Sequence, residues 1–155
     1  EISQKNVNIC VKHGLSVVQG DADKDLIAYP SKSFDFVILS QTLQATHSPE
    51  KVLSQLVRIS KYAIVSFPNF GSWLVRLKLL INGIMPQSKS LPHTWYTTPN
   101  IHLCTIKDFK KLCEKNSIKI EKSFYLNKYG KQINNPIGKI FNNFFSTSGL
   151  FVLKK

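Results

Sequence analysis

His102 and Cys104 stand two apart in the run LPHTWYTTPNIHLCT, with His93 upstream in the same stretch. A thiol beside an imidazole could serve as nucleophile and base, because a neighbouring base lowers a thiol's pKa. The same three side chains could also begin a zinc site, but no repeated spacing supplies a fourth ligand. A cysteine packed just before the Thr105 helix start is the simpler reading. His47 follows an apolar run and either takes a proton from a substrate or stands exposed before Ser48. Asp21, Asp23 and Asp25 alternate as calcium ligands do, yet the longer ligand series and terminal glutamate of a calcium loop are missing. A turn is the reading for that cluster. No catalytic residue is assigned on these patterns, and no metal is expected.

The elements that would position such groups centre on residues 34–73, FDFVILSQTLQATHSPEKVLSQLVRISKYAIVSFPNFGSW. Phe34 to Leu39 and Tyr62 to Phe67 are short runs with almost no polar face, which predicts parallel strands covered on both sides. Between them Ser48 is a candidate N-cap, with Pro49 at the first helical position and Glu50 in the positive first turn. Val52, Leu53, Leu56 and Val57 form the apolar stripe of that helix. This βαβ unit predicts an open α/β sheet with its ligand crevice at the strand carboxyl ends, Ser40-Gln41-Thr42 and Pro68-Asn69-Phe70.

The flanks are read in the same way. A helix is predicted over Gln4 to His13, stopped by Gly14, then a brief strand over Leu15 to Gln19 and a partial helical turn before Phe34. Trp73, Leu77, Leu80, Ile81 and Ile84 recur at helical spacing within 70–84, a stripe expected to pack on its own sheet rather than on a membrane or partner. Met85 to Pro99 holds three prolines and is a candidate lid over the strand ends. Thr105 with Asp108 predicts a capping box. A strand with a slip at Lys122-Ser123 is expected over Ile118 to Leu126, a break at Asn134-Asn135-Pro136, a short helix from Ile137 to Phe145 and a last strand from Gly149 to Leu153.

Composition bounds the partners. A chain of 155 residues, 43% hydrophobic, suits one domain. The net charge of +12 raises polyanions as ligands. However, only two of the 21 basic residues are arginine, Arg58 and Arg76, so bidentate phosphate and base contacts are few and nucleic acid is an unlikely partner. The three cysteines form no CxxC pair, which fits a reducing compartment and a cytoplasmic protein. Arg76 and Lys78 interrupt the longest apolar run well short of the roughly 18 residues of a membrane helix.

Gln19-Gly20-Asp21, FDFVILSQTLQA, AIVSFPNFGSW and LPHTWYTTPNIHLCTIKDF together resemble the methionine biosynthesis protein MetW family. The resemblance runs from Glu1 to the last strand. It implies a three-layer Rossmann-like sheet of the class I S-adenosylmethionine-dependent methyltransferase type, present as a single partial domain over 1–155. It also implies S-adenosylmethionine as cofactor, with Glu1 at the ribose hydroxyls, Asp21 and Ala22 at the adenine, and Ser40, Gln41 and Leu43 near the methyl-bearing sulfur. The partner it implies is homoserine O-acyltransferase, in methionine synthesis. The alternative is a small-molecule methyltransferase with substrate between Gln41, His47 and the lid, and a nucleic-acid-binding module ranks last.

The main departure is an absence. A glycine-rich loop between a first strand and a first helix would bring backbone N–H groups to the cofactor's amino-acid part. None occurs in these 155 residues. In the fold the resemblance implies, that strand, that helix and most of the second strand would precede Glu1, so the chain is expected to be N-terminally truncated and to bind the cofactor poorly.

Overall fold

The computed structural model describes residues 1–133 and 139–155. In order they form α1 (Gln4–Lys12), β1 (Phe34–Ser40), α2 (Pro49–Ile59), β2 (Ser60–Pro68), α3 (Trp73–Asn82), α4 (Ile106–Lys115), β3 (Lys119–Leu126), α5 (Lys139–Phe145) and β4 (Ser148–Lys154), with 3-10 turns at Asp25–Ala28 and Leu43–Ala45. The sheet order is β1-β2-β4-β3. β1 and β2 pair parallel from Phe34 with Ser60 to Ser40 with Ser66, so α2 is the expected crossover. β4 then inserts antiparallel between β2 and β3. β3 does slip, but as a register shift between Ile120 and Lys122, before the expected Lys122-Ser123.

The core lies on one face of this sheet. Val52, Leu53, Leu56 and Val57 of α2 and Ile106, Phe109 and Cys113 of α4 close over Ala63, Val65, Phe67, Phe151 and Leu153. Phe67, Phe109 and Phe151 form a ring triad with centroids 4.7–5.7 Å apart. The Thr105–Asp108 capping box starts α4 as expected. Ser48, the expected cap of α2, makes no side-chain capping bond. The Asp23 carboxylate instead holds the entry to the helix, accepting the His47 and Ser48 N–H groups at 2.8 Å each.

Three expectations are corrected. β1 is not covered on both sides: Leu39 is buried and Val37 half-buried, but Phe36 and Ile38 on the opposite face are 60% and 68% exposed. Leu15 to Gln19 joins no ladder. Glu1 lies beside it, donating from its amine to Val18 O and accepting from Gly20 N at 3.0 Å, and one such bridge is too short for a strand. The stripe Trp73, Leu77, Leu80, Ile81 and Ile84 does not pack on the sheet; all five are exposed, and Val75 is the buried residue of α3. The predicted Asn134-Asn135-Pro136 break and the first residues of the predicted Ile137 helix lie outside the described residues.

Candidate functional site at the strand ends

The carboxyl ends of β1 and β2 are held together by backbone geometry. Gln41 turns out of β1 with φ +52°, a left-handed conformation that a non-glycine residue adopts only when its surroundings fix it. The fixing bond is Gln41 N to Ser66 O at 2.8 Å, with the Ser40 and Ser66 hydroxyls 3.4 Å apart beside it. Thr42 Oγ1 donates back to Ser40 O. Gln44, buried in the following 3-10 turn, donates through Nε2 to Pro68 O, and its carbonyl accepts the Ile101 and His102 N–H groups. It thereby ties the end of β2 and the segment before α4 to the end of β1.

Asn69 is the second hub. Its Nδ2 donates to Asn143 O at 2.8 Å and Ser146 O at 2.7 Å, while Oδ1 accepts from Gly71 N at 2.9 Å and Ile106 N at 3.3 Å. Four bonds satisfy the whole side-chain amide, so a buried polar group holds β2, α4 and α5 in one arrangement. A Cβ on Gly71 would lie 2.9 Å from Asn143 Nδ2, which leaves room only for glycine. Asn69 stood in the expected ligand crevice, but Gln44 was not singled out; nothing about an isolated glutamine in a sequence marks it as buried.

The residues placed at the cofactor by resemblance divide into two groups. Glu1 and Asp21 are neighbours through the Glu1–Gly20 backbone bond. The 21–25 turn is joined to the loop after β1 by Asp23, whose carboxyl burial pulls upward in pKa, an effect outweighed by the His47 and Ser48 N–H donations that hold it below the usual range. Glu1 Oε1 accepts from Ser3 N and Asn6 Nδ2, which lowers its pKa. Asp21 Oδ1 accepts from Asp23 N, and its Oδ2 lies 3.5 Å from Lys24. Ser40 and Gln41 are exposed at the end of β1, whereas Leu43 is buried in the core. Both carboxylates are thus engaged by groups of this chain, and no glycine-rich loop between a strand and a helix occurs in these 155 residues to offer a cradle of backbone N–H groups.

The lid does not close over Gln41 and His47. Pro86, Ser88 and Leu91 instead roof a cavity of about 210 Å³ whose floor is Asn69, Ser72 and Val75, at the end of β2. Cys104 donates from Sγ to Thr105 O at 3.2 Å, and burial together with the nearby Asp108 charge pushes its thiol up to about 12. That is the reverse of what a nucleophile requires, so the packed reading of Cys104 holds. His47 donates its backbone N–H to Asp23. Arg58 and Arg76 both bind backbone carbonyls of their own chain, at Leu26 and Gly71. No cluster of metal-ligating side chains occurs among the described residues, and no described helix is long and apolar enough to cross a membrane.

Comparison with solved structures defines the class. An S-adenosylmethionine-dependent methyltransferase from Thermotoga maritima superposes at a TM-score of 0.64 with 19% identity, over 100% of this chain and 70% of that one. One from Archaeoglobus fulgidus gives 0.65 with 16% identity, over 100% and 74%. These likenesses establish the methyltransferase-like α/β fold. The sequence profile of the family described as methionine biosynthesis protein MetW matches residues 1–153, and the chain belongs to that family. A bifunctional methionine biosynthesis protein MetXA/MetW of Rhodopirellula baltica is 30% identical over 126 residues, 81% of this chain and 20% of that protein. The chain thus spans about a fifth of the length of that relative.

Proposed function

We propose that the chain acts in methionine synthesis through contact with homoserine O-acyltransferase, as a cofactor-fold partner rather than as a catalyst of its own. The observation that carries this reading is the relative in which MetXA and MetW are one polypeptide. Covalent linkage raises the effective concentration of two modules that work together. The strand ends support it: the Cys104 thiol is held protonated, the arginines are spent on the chain's own carbonyls, and the buried hubs Gln44 and Asn69 are structural. Copurification with the acyltransferase and a change in its rate when the chain is added test the reading. Absence of both overturns it.

S-adenosylmethionine is the cofactor proposed for the fold, with Glu1 at the ribose, Asp21 and Ala22 at the adenine, and Ser40, Gln41 and the backbone at Leu43 along the sulfur. The group would supply an activated methyl. What these residues do is accept and orient. Because no glycine-rich loop between a strand and a helix occurs in these 155 residues, titration calorimetry is expected to find no micromolar binding by them alone. The alternative, a small-molecule methyltransferase, is favoured by one feature, the roofed cavity at the end of β2.

A further inference from the structure

α3 turns its apolar side chains outward. Its two cationic side chains, themselves exposed, bond to carbonyls of the segments flanking the helix: Arg76 Nε donates to Gly71 O at 2.8 Å, with its guanidinium 5.7 Å from the Phe144 ring centre, and Lys78 Nζ donates to Gln87 O at 2.8 Å. Its apolar stripe turns to solvent, with Leu80 83%, Ile81 70% and Ile84 65% exposed and Trp73 and Leu77 beside them. Every residue from 76 to 85 is exposed. Surface helices normally do the opposite, and contiguous exposed apolar side chains mark a surface that something covers.

We propose that this face of α3 is the surface on which the acyltransferase docks, an inference that rests on the function proposed above. Trp73, Leu77, Leu80 and Ile81 occupy positions i, i+4, i+7 and i+8 of α3, the spacing of anchors that an amphipathic helix lays into an apolar groove, and Ile84 follows just past the Gly83 C-cap. An aromatic residue at one end of such a row is a frequent centre of binding energy. The occupant is a protein rather than a lipid surface. A helix lying in a membrane interface is rich in Lys and Arg on its polar face to meet the headgroups, and α3 carries only two, Arg76 and Lys78. The occupant is the acyltransferase because a relative carries the two proteins as one chain, which holds the partner surfaces within reach of each other.

The test is titration of the full chain against purified homoserine O-acyltransferase, comparing it with the double variant Leu80→Glu/Ile84→Glu and with Ile27→Glu. Ile27 is equally apolar and 73% exposed but belongs to the turn before β1, so it controls for loss of surface apolarity. The double variant is expected to bind at least about tenfold more weakly with an unchanged melting temperature, and Ile27→Glu to bind as the unaltered chain. If the double variant binds as well as the unaltered chain, or Ile27→Glu loses as much, the docking face is overturned while the partner reading stands. If the unaltered chain does not bind the acyltransferase, the partner reading itself fails. Dimerisation of the chain in light scattering, or its binding to phosphatidylglycerol vesicles, overturns the proposal when the double variant abolishes it, because the face then belongs to a second copy or to lipid.

Discussion

β1 and β4 are the two neighbours of β2, each seven residues long and each paired with β2 over six registered positions. Their sequences, FDFVILS and SGLFVLK, are comparably apolar. Their fates differ. β4 buries Gly149, Phe151 and Leu153 in strict alternation, whereas β1 buries Leu39 and leaves Phe34, Phe36 and Ile38 exposed. β4 has a strand on each side and α4 over its inner face; β1 is paired with β2 alone, and none of residues 1–38 is buried. Apolar content makes a run able to be a central strand, but a second neighbour and a covering layer are what bury it.

The widest gap should appear when one phenylalanine is removed from each strand. Phe151→Ala empties a fully buried site between Phe67 and Phe109 and is expected to cost about 3–5 kcal/mol. Phe36→Ala removes an exposed ring stacked on Tyr62 and should cost less than about 1 kcal/mol. Urea unfolding monitored by circular dichroism measures both. Equal losses would mean that the face of β1 is covered in solution and would dissolve the contrast. A smaller effect is expected at the end of β2, where Gly71→Ala drives a methyl against Asn143 and Asn69 Oδ1 for about 1–3 kcal/mol. The same substitution at Gly130, where nothing lies within 4 Å but φ is +74°, separates backbone strain from crowding.

The same contrast explains what could be read from the sequence. The βαβ unit, the Thr105–Asp108 box and the β3 slip depend on residues close in the chain, and all three are present. Burial of β1 and of the α3 stripe depends on what lies against them, which periodicity does not encode, and there the reading failed. The α3 stripe has the right spacing for a core face; the exposure of its side chains, with Val75 buried instead, shows that the helix is turned the other way. In the site, the strand-end positions 40–42 and 68–70 were legible because a parallel sheet dictates them. Asp23 and Gln44 were not, since their roles rest on bonds across 24 or more residues, to His47 and to Pro68.

Asp23 is one place where the two regions are joined. Its carboxylate ties the 21–25 turn to the entry of α2, whose Val52, Leu53 and Leu56 are core, and Arg58 at the other end of α2 holds the Leu26 to Ser31 segment. Asp23→Ala should cost about 1 kcal/mol at neutral pH, the usual net value of a hydrogen bond. The pH dependence has a definite sign. The folded carboxyl titrates below its ordinary 3.8, so its stabilisation is fully present above that pH and is lost as the pH falls through the folded value. The difference between the unaltered chain and Asp23→Ala should therefore be constant from neutral pH down to the ordinary carboxylate range and shrink below it. Thermal melts at stepped pH measure it. A difference that grows in acid would mean that the turn is held by its uncharged contacts, chiefly Arg58 with Leu26 and Ser31, and that the carboxylate is not the tether between the two regions.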